Sequence, residues 1–429
     1  MTAEAKAAPL PCTRCKGQDG VLDLRSEVVC ETCFTTFVAS KAIKRLEVLQ
    51  RETRGPRLPS RPQRYLLALS RGPSSTALLH ILNENVRRQR ERNQRLKFEL
   101  VPVFVDIDVI DQRETTTSDP IPTSTSTDAS EEGIPLTDAF TAHFPDLTVH
   151  KVPLSSILSS QEIDWTSLPP QDKSLPPSQR LTDLFTNLPT ASARADVSRL
   201  LTRHALFAAA ATHDCDIVLL GYNTTSLAEL TLSEAAKGRG FGIPWLVNDG
   251  AFPLPRAITD NPAGGTSEDR TSSSQTNGSN AGTIQIYSPL RESFRKEILT
   301  YLSIVNSAAG SLAELFPVSS ASSQPAAVVS HRDLSLDDVV ARYFVDVEAS
   351  YPSVVANVVR TTGKLNRTGS GGRQCGLCGG RLDPLGDERW KGEIGEADAT
   401  ISSAIDDNGD ARPAKNSMLC YGCERSVKG

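Results

Sequence analysis

Aromatic residues make up only 5% of the 429 residues, and the chain has two methionines and six histidines. The histidines are scattered, with no two at ligand spacing, and no Ser/His/Asp constellation is legible. No apolar run approaches the ~18 residues that a membrane-spanning helix needs, so no membrane partner is expected. The first residues lack the basic stretch and apolar core of a secretory leader, so the expected location is cytoplasmic. A net charge of -5 excludes a chain that is a basic nucleic-acid binder throughout, and leaves only local basic clusters to consider. Hydrophobic residues, at 38%, suffice for one sizeable core. The blocks rich in Ser, Thr and Pro bury too little apolar surface to offset chain entropy and are expected to be disordered.

Cysteine, by contrast, is present and paired. Cys12 and Cys15, Cys30 and Cys33, Cys375 and Cys378, and Cys420 and Cys423 each form a Cys-x-x-Cys motif. A reducing compartment disfavours disulfides, so such pairs point to metal or redox chemistry. A short Cys-x-x-Cys loop turns both sulfurs toward one centre, and two such knuckles complete a tetrahedral four-thiolate shell suited to zinc. Gly376, Gly379 and Gly422 suit the knuckle turns. Four protein ligands leave no open position for substrate, so both sites are expected to be structural rather than redox or iron–sulfur centres; the plainer alternative is eight reduced thiols. Cys215 opens an apolar run and reads as a small core residue, with a nucleophile or persulfide carrier as the other reading.

Between the cysteine modules the pattern is α/β. Arg64–Leu69 reads as a buried strand, and Leu78, Ile81, Leu82 and Val86 give the following segment helical spacing. Strands are expected again at Glu99–Asp106, Leu147–Leu154, Asp216–Leu220 and Thr283–Tyr287, with helices between them, which is the pattern of a five-stranded parallel sheet. Further helices are expected at Ser226–Lys237, Arg291–Ile304 and Leu334–Tyr351. Polar insertions are expected near 111–133, 155–180 and 259–283, and a linker at 317–330. The domain reading is 1–55 for the amino-terminal module and basic connector, 56–350 for the α/β domain, and 351–429 for the carboxyl-terminal module.

Two further features carry chemistry. The turn Ser70-Arg71-Gly72-Pro73-Ser74-Ser75 joins a strand to a helix, where amide groups can cradle a phosphate; Ser70, Gly72, Ser74 and Ser75 are the candidate nucleotide-binding residues. It lacks the Gly-Lys-Ser/Thr ending of a Walker loop. Between Lys41 and Arg64, eight cations face only Glu47 and Glu52. Arg87, Arg88, Arg90, Arg92, Arg95 and Lys97 form a second cluster. Arg51, Arg54, Arg57, Arg61, Arg87 and Arg88 are the candidate RNA-phosphate contacts, against the alternative of a solvated charged face.

The turn resembles the Ser-Gly-Gly-x-Asp-Ser/Thr pyrophosphate loop of the PP-loop ATPases, matching at Ser70, Gly72 and Ser75 and departing at Arg71 and Ser74. Gly221-Tyr222-Asn223 followed by Ala228-Glu229 resembles a segment of PP-loop tRNA thiolases, with Thr225 and Ser226 where that segment has an acidic pair. Lys237-Gly238-Arg239-Gly240, then Pro289-Leu290-Arg291 and its helix, follow in order. Together with the terminal cysteine modules, these segments resemble the cytoplasmic tRNA 2-thiolation protein 2 family, the divergent second subunit of the eukaryotic wobble-uridine thiolase. The resemblance covers roughly 12–55, 64–106, 194–256, 284–305 and 375–425. It implies a PP-loop, adenine nucleotide alpha hydrolase-like α/β domain and a role in 2-thiolation of wobble uridine. The implied partners are tRNA, a catalytic first subunit in a heterodimer, and a ubiquitin-like sulfur carrier.

Catalytic relatives adenylate a uracil carbonyl with ATP and displace AMP with sulfur. Here Ser74 replaces the acidic loop residue, which weakens the case for a hard Mg²⁺ ion. Pro73 removes an amide donor. Ala191–Asp196 lacks the expected Cys-x-x-Cys, and residues 305–345 contain no cysteine. The chain is therefore expected not to catalyse sulfur transfer alone, and the turn reads either as a residual nucleotide site or as a relic that packs its helix. Two alternatives stand beside this: a self-sufficient adenylating enzyme, and a zinc-stapled scaffold without a nucleotide site.

Overall fold

The computed structural model describes residues 10–53, 61–107, 136–254, 283–316, 334–367, 374–382 and 419–428. The insertions expected near 111–133 and 259–283 (save Thr283), and the linker at 317–330, lie outside the described residues.

A hairpin, β1 (Leu22–Leu24) and β2 (Glu27–Val29), leads into α1 (Glu31–Thr53), so the first half of the basic connector continues a helix. The sheet starts with β3 (Gln63–Ala68), followed by α2 (Pro73–Glu91) and β4 (Phe98–Asp106). After α3 (Leu136–His143) come β5 (His150–Pro153), α4 (Pro177–Thr186), α5 (Ala191–Thr212) and β6 (Ile217–Leu219). Then follow α6 (Thr224–Ala236), α7 (Ile243–Val247), β7 (Gly250–Pro253), β8 (Thr283–Tyr287) and α8 (Arg295–Ile304). After a small β9–β10 ribbon (Asn306–Ser307, Gly310–Ser311), α9 (Leu336–Ser350), α10 (Pro352–Thr362) and α11 (Tyr421–Lys428) complete the described chain.

The sheet has six strands in the order β5-β4-β3-β6-β8-β7. The expected five parallel strands are present, and an antiparallel edge strand, β7, adds to them. The four-residue Gly-Ala-Phe-Pro run of β7 is too short and too rich in breakers to carry a strand signal. β3 is buried on both faces: Tyr65 and Leu67 join α1, α2 and α8 in one core, and Leu66 joins α5 in the other. A third apolar cluster packs α9 and α10 on α6 through Leu227, Phe344 and Val355.

The stretch 155–180, expected to be an unstructured insertion, is ordered. Its prolines and serines fold as single turns, and Ile157, Ile163 and Leu168 reach the core at irregular spacing that neither helix nor strand periodicity reveals. Its Asp164 amide donates to the Gly376 carbonyl at 2.8 Å, against the carboxyl-terminal knuckle. The helix expected from Arg291 starts at Arg295, because Ser288–Ser293 form turns after Pro289.

Candidate functional site

The two sets of cysteines come together as expected. Cys12, Cys15, Cys30 and Cys33 place their sulfurs within 4.8 Å of one another, and so do Cys375, Cys378, Cys420 and Cys423. Cys15 Sγ lies 3.8 Å from Cys30 Sγ, and Cys378 Sγ lies 3.8 Å from Cys420 Sγ. Four thiolates bonded at about 2.3 Å to one tetrahedral centre stand about 3.8 Å apart, so each donor set fits a single metal ion.

Local structure explains the convergence. Lys16 adopts a left-handed φ of 57° after the first knuckle, and its amide bonds back to the Cys12 carbonyl at 2.9 Å. Cys30 and Cys33 sit at the start of α1, with the Phe34 amide on the Cys30 carbonyl. The Cys15 amide lowers the Cys12 thiol to about 6 despite its burial, while the hydrogen bond with Cys30 raises Cys33 to about 12. At the other end Gly379, with φ 68°, closes the knuckle, and the Gly380 amide donates to Cys378 Sγ at 3.4 Å. The Cys420 amide donates to Cys375 Sγ at 3.2 Å.

The carboxyl-terminal cluster is built into the α/β domain. His204 on α5 bonds the Leu377 carbonyl at 2.7 Å. Arg239 points one nitrogen at Cys423 Sγ, 3.6 Å away, and bonds Asp196 and Glu234 with the others. Ser426 donates to Asp196 at 2.7 Å. Asp196 and Glu234 are fully buried. Burial opposes the Asp196 charge, but Arg239, Arg199 and Lys237 outweigh it and hold its carboxyl well below the usual range. Lys237 to Gly240 is legible in the sequence as a motif, but its tie to Asp196 and Glu234 leaves no local signal.

The turn after β3 is tied to itself. Ser70 and Ser75 hydroxyls lie 3.2 Å apart, the Ser75 hydroxyl donates to the Gly72 carbonyl at 3.0 Å, and Asn223 Nδ2 donates to Ser74 Oγ at 2.8 Å. Arg71 takes a left-handed φ of 59° and lays its guanidinium 4.3 Å over the Phe104 ring. Gly221 packs so closely that a Cβ there would stand 2.8 Å from Ser75 Cα. The turn offers hydroxyls and amides, and no carboxylate. Thr225 hydrogen-bonds Glu348 of α9 and accepts the Arg295 amide, and Ser226 caps α6 through Asn223. Burial raises the Glu229 carboxyl, opposed by its ion pair with Arg295 at 2.7 Å. Cys215 is half-buried, and burial raises its thiol to about 11, the behaviour of a packed residue rather than a nucleophile.

Among the described residues, the candidate phosphate contacts lie near the ends of α1 and α2 and the start of β3. Arg54 and Arg57 lie outside the described residues. Arg51 ends α1, Arg61 precedes β3 and pairs with Asp214 at 3.1 Å, and Arg87 pairs with Glu84 at 3.0 Å. Arg88 lines a cavity of about 590 Å³ with His80 and Tyr301. Arg61, Arg87 and Arg88 thus lie at the end of the sheet opposite the Ser70 turn.

Residues 335–425 match the family profile described as "Cytoplasmic tRNA 2-thiolation protein 2". A protein of that name from Phaeosphaeria nodorum is 32% identical over 425 residues, covering 97% of this chain and 94% of the relative. Its namesake from Sclerotinia sclerotiorum is 33% identical over 352 residues, covering 81% and 80%. Among solved structures, the U34-tRNA thiolase NcsA from Methanococcus maripaludis with its [4Fe-4S] cluster aligns with 88% of this chain and 98% of its own, at 15% identity and a TM-score of 0.48. Near-complete alignment at this identity, with both cysteine clusters formed, means that the chain belongs to the cytoplasmic tRNA 2-thiolation protein 2 family.

Proposed function

We propose that this chain is the tRNA-binding, non-catalytic subunit of a cytoplasmic complex that 2-thiolates wobble uridine. In this reading a catalytic PP-loop partner, fed by a ubiquitin-like sulfur carrier, performs the adenylation and sulfur transfer. Each cysteine cluster holds one structural zinc ion, which supplies cross-linking and no open coordination site.

One observation carries the reading: the positions where catalysis would need free groups are engaged in packing. Ser70, Ser74 and Ser75 bond to one another, to Gly72 or to Asn223; Thr225 is bound by Glu348; and Asp196 is enclosed by cations. Eight of the nine cysteines belong to closed four-sulfur sets, and Cys215 has a raised pKa. These features favour the relic reading of the turn over a residual ATP site.

The test is thiolation of a target tRNA by the chain co-purified with its partner. Ser74→Ala in this chain is expected to leave turnover unchanged, and the chain alone is expected to give no thiolated product. Thiolation, or exchange between ATP and pyrophosphate, by the isolated chain overturns the reading and restores the self-sufficient enzyme.

A further inference from the structure

A cleft of about 620 Å³ opens at the carboxyl ends of β6 and β8. Six cations line it: Arg25 from the hairpin, Lys41 and Arg45 from α1, Arg291 after β8, and Arg360 and Lys364 at the end of α10. Among the described residues, two carboxylates, Asp249 and Glu292, line it with them. In a chain of net charge -5 this is a strong local excess.

The cations fall into two groups. Arg45 and Arg291 converge on Asp249 at 3.0 and 3.1 Å, and Asp249 also accepts the Ser288 amide at 2.9 Å. That group builds the wall. Arg25 pairs with Glu297 at 2.8 Å, while Lys41, Arg360 and Lys364 form no ion pair among the described residues. Arg25 and Lys41 share the Glu292 carbonyl at 2.9 and 3.2 Å. Burial, and then the charge of Arg25, lower the Lys41 pKa, with Glu297 and Glu292 opposing. Arg360 and Lys364 are exposed one turn apart, and among the described residues no carboxylate pairs with either. The cationic surface extends past the cleft to Phe37, whose ring has Arg14 at 4.6 Å and Lys41 at 4.8 Å.

Position adds to the charge. Thr224 lines the cleft, and its neighbour Asn223 holds Ser74 of the turn after β3. The cleft and the turn therefore share one end of the sheet. Arginine, four of the six, favours phosphate through its planar fork. Cations spread over four segments of the chain suit an extended phosphate backbone better than one compact anion.

We infer that this cleft holds the sugar-phosphate backbone of the RNA, with Lys41, Arg360 and Lys364 as phosphate contacts. The inference rests on the tRNA-binding reading above; it keeps the first part of the connector, through Lys41 on α1, and replaces the later connector arginines and the end of α2 with α10.

The experiment is a fluorescence-anisotropy titration of the full chain against a tRNA transcript across a KCl series. The Arg360→Glu/Lys364→Glu variant is compared with Arg87→Glu/Arg88→Glu, an equal charge change at the opposite end. Thermal melting confirms that each is folded, and Arg360→Gln/Lys364→Gln replaces the reversal if it is not. The cleft variant is expected to lose about tenfold or more in affinity and about 2 from the salt slope, the comparator less than about threefold. Equal losses, or a larger loss in the comparator, overturn the cleft while leaving tRNA binding intact. Polyglutamate displacing tRNA at matched charge also overturns it, in favour of an acidic protein occupant. Absence of binding by the unmodified chain sinks both the cleft and the tRNA-binding reading.

Discussion

At the scale of single residues, Gly221 decides whether the turn after β3 fits. A methyl group there meets Ser75 Cα at 2.8 Å and Ser75 N at 2.9 Å, both backbone atoms that cannot rotate away. Gly221→Ala is expected to cost about 1–3 kcal/mol, read from urea unfolding. Arg239 is a second such residue. Arg239→Met leaves Asp196 and Glu234 buried with fewer cations, and a loss of about 3–5 kcal/mol is expected in the same measurement. His80 carries a pH signature. Burial lowers its pKa below the ordinary 6.5, and its Nδ1 lies 2.8 Å from the Tyr301 hydroxyl. Below 6.5 the unfolded chain therefore binds more protons at this position than the folded one, so stability falls as the pH drops. His80→Gln is expected to flatten the profile on the acid side of 6.5 relative to wild type, in urea titrations from about pH 5 to 8. His143 and His150, lowered by the same cause, keep part of the slope.

At the scale of elements, the parallel strands were legible because β3, β4 and β6 carry apolar runs bounded by turn residues and β8 alternates Ile284 and Ile286 with polar residues. β7 was not, since it gains its place from pairing with β8 and from Arg367, which reaches the carbonyls of Pro244, Asn248 and Ala251. Those partners are remote in sequence, and no local pattern encodes them. The same holds for 155–180. The cysteine clusters were legible because knuckle spacing is local, whereas the enclosure of Asp196 joins α5, α6 and α11 and leaves no periodic trace. The basic cleft was hidden for a similar reason: Arg25, Arg291 and Lys364 belong to segments far apart in the chain. Packing of α10 also gives a test. Leu227 is fully buried between α6 and the α9–α10 pair, and Leu227→Ala is expected to cost about 2–5 kcal/mol in urea unfolding.

At the scale of the whole molecule, the two cysteine clusters belong to opposite faces of the sheet. Cys12 and Cys30 sit in the core with α1 and α2, and Cys375, Cys378 and Cys423 sit in the core with α5. A metal chelator is therefore expected to lower the single unfolding transition of the entire chain rather than loosen two ends. Tryptophan emission reports it, since Trp245 lies in the α5 core. A separate low-temperature transition with the main one unmoved would count against this coupling.

The union of α5 with the carboxyl-terminal knuckles also sets a timetable for synthesis. α5 ends at Thr212, and Cys420 follows about two hundred residues later. At ribosomal speeds of about 5–20 residues per second, the apolar face that awaits Leu377 and Leu419 stands uncovered for about 10–40 s. Nascent chains halted before Cys420 are thus expected to engage chaperones more than chains released complete, which pull-down of stalled ribosomes measures.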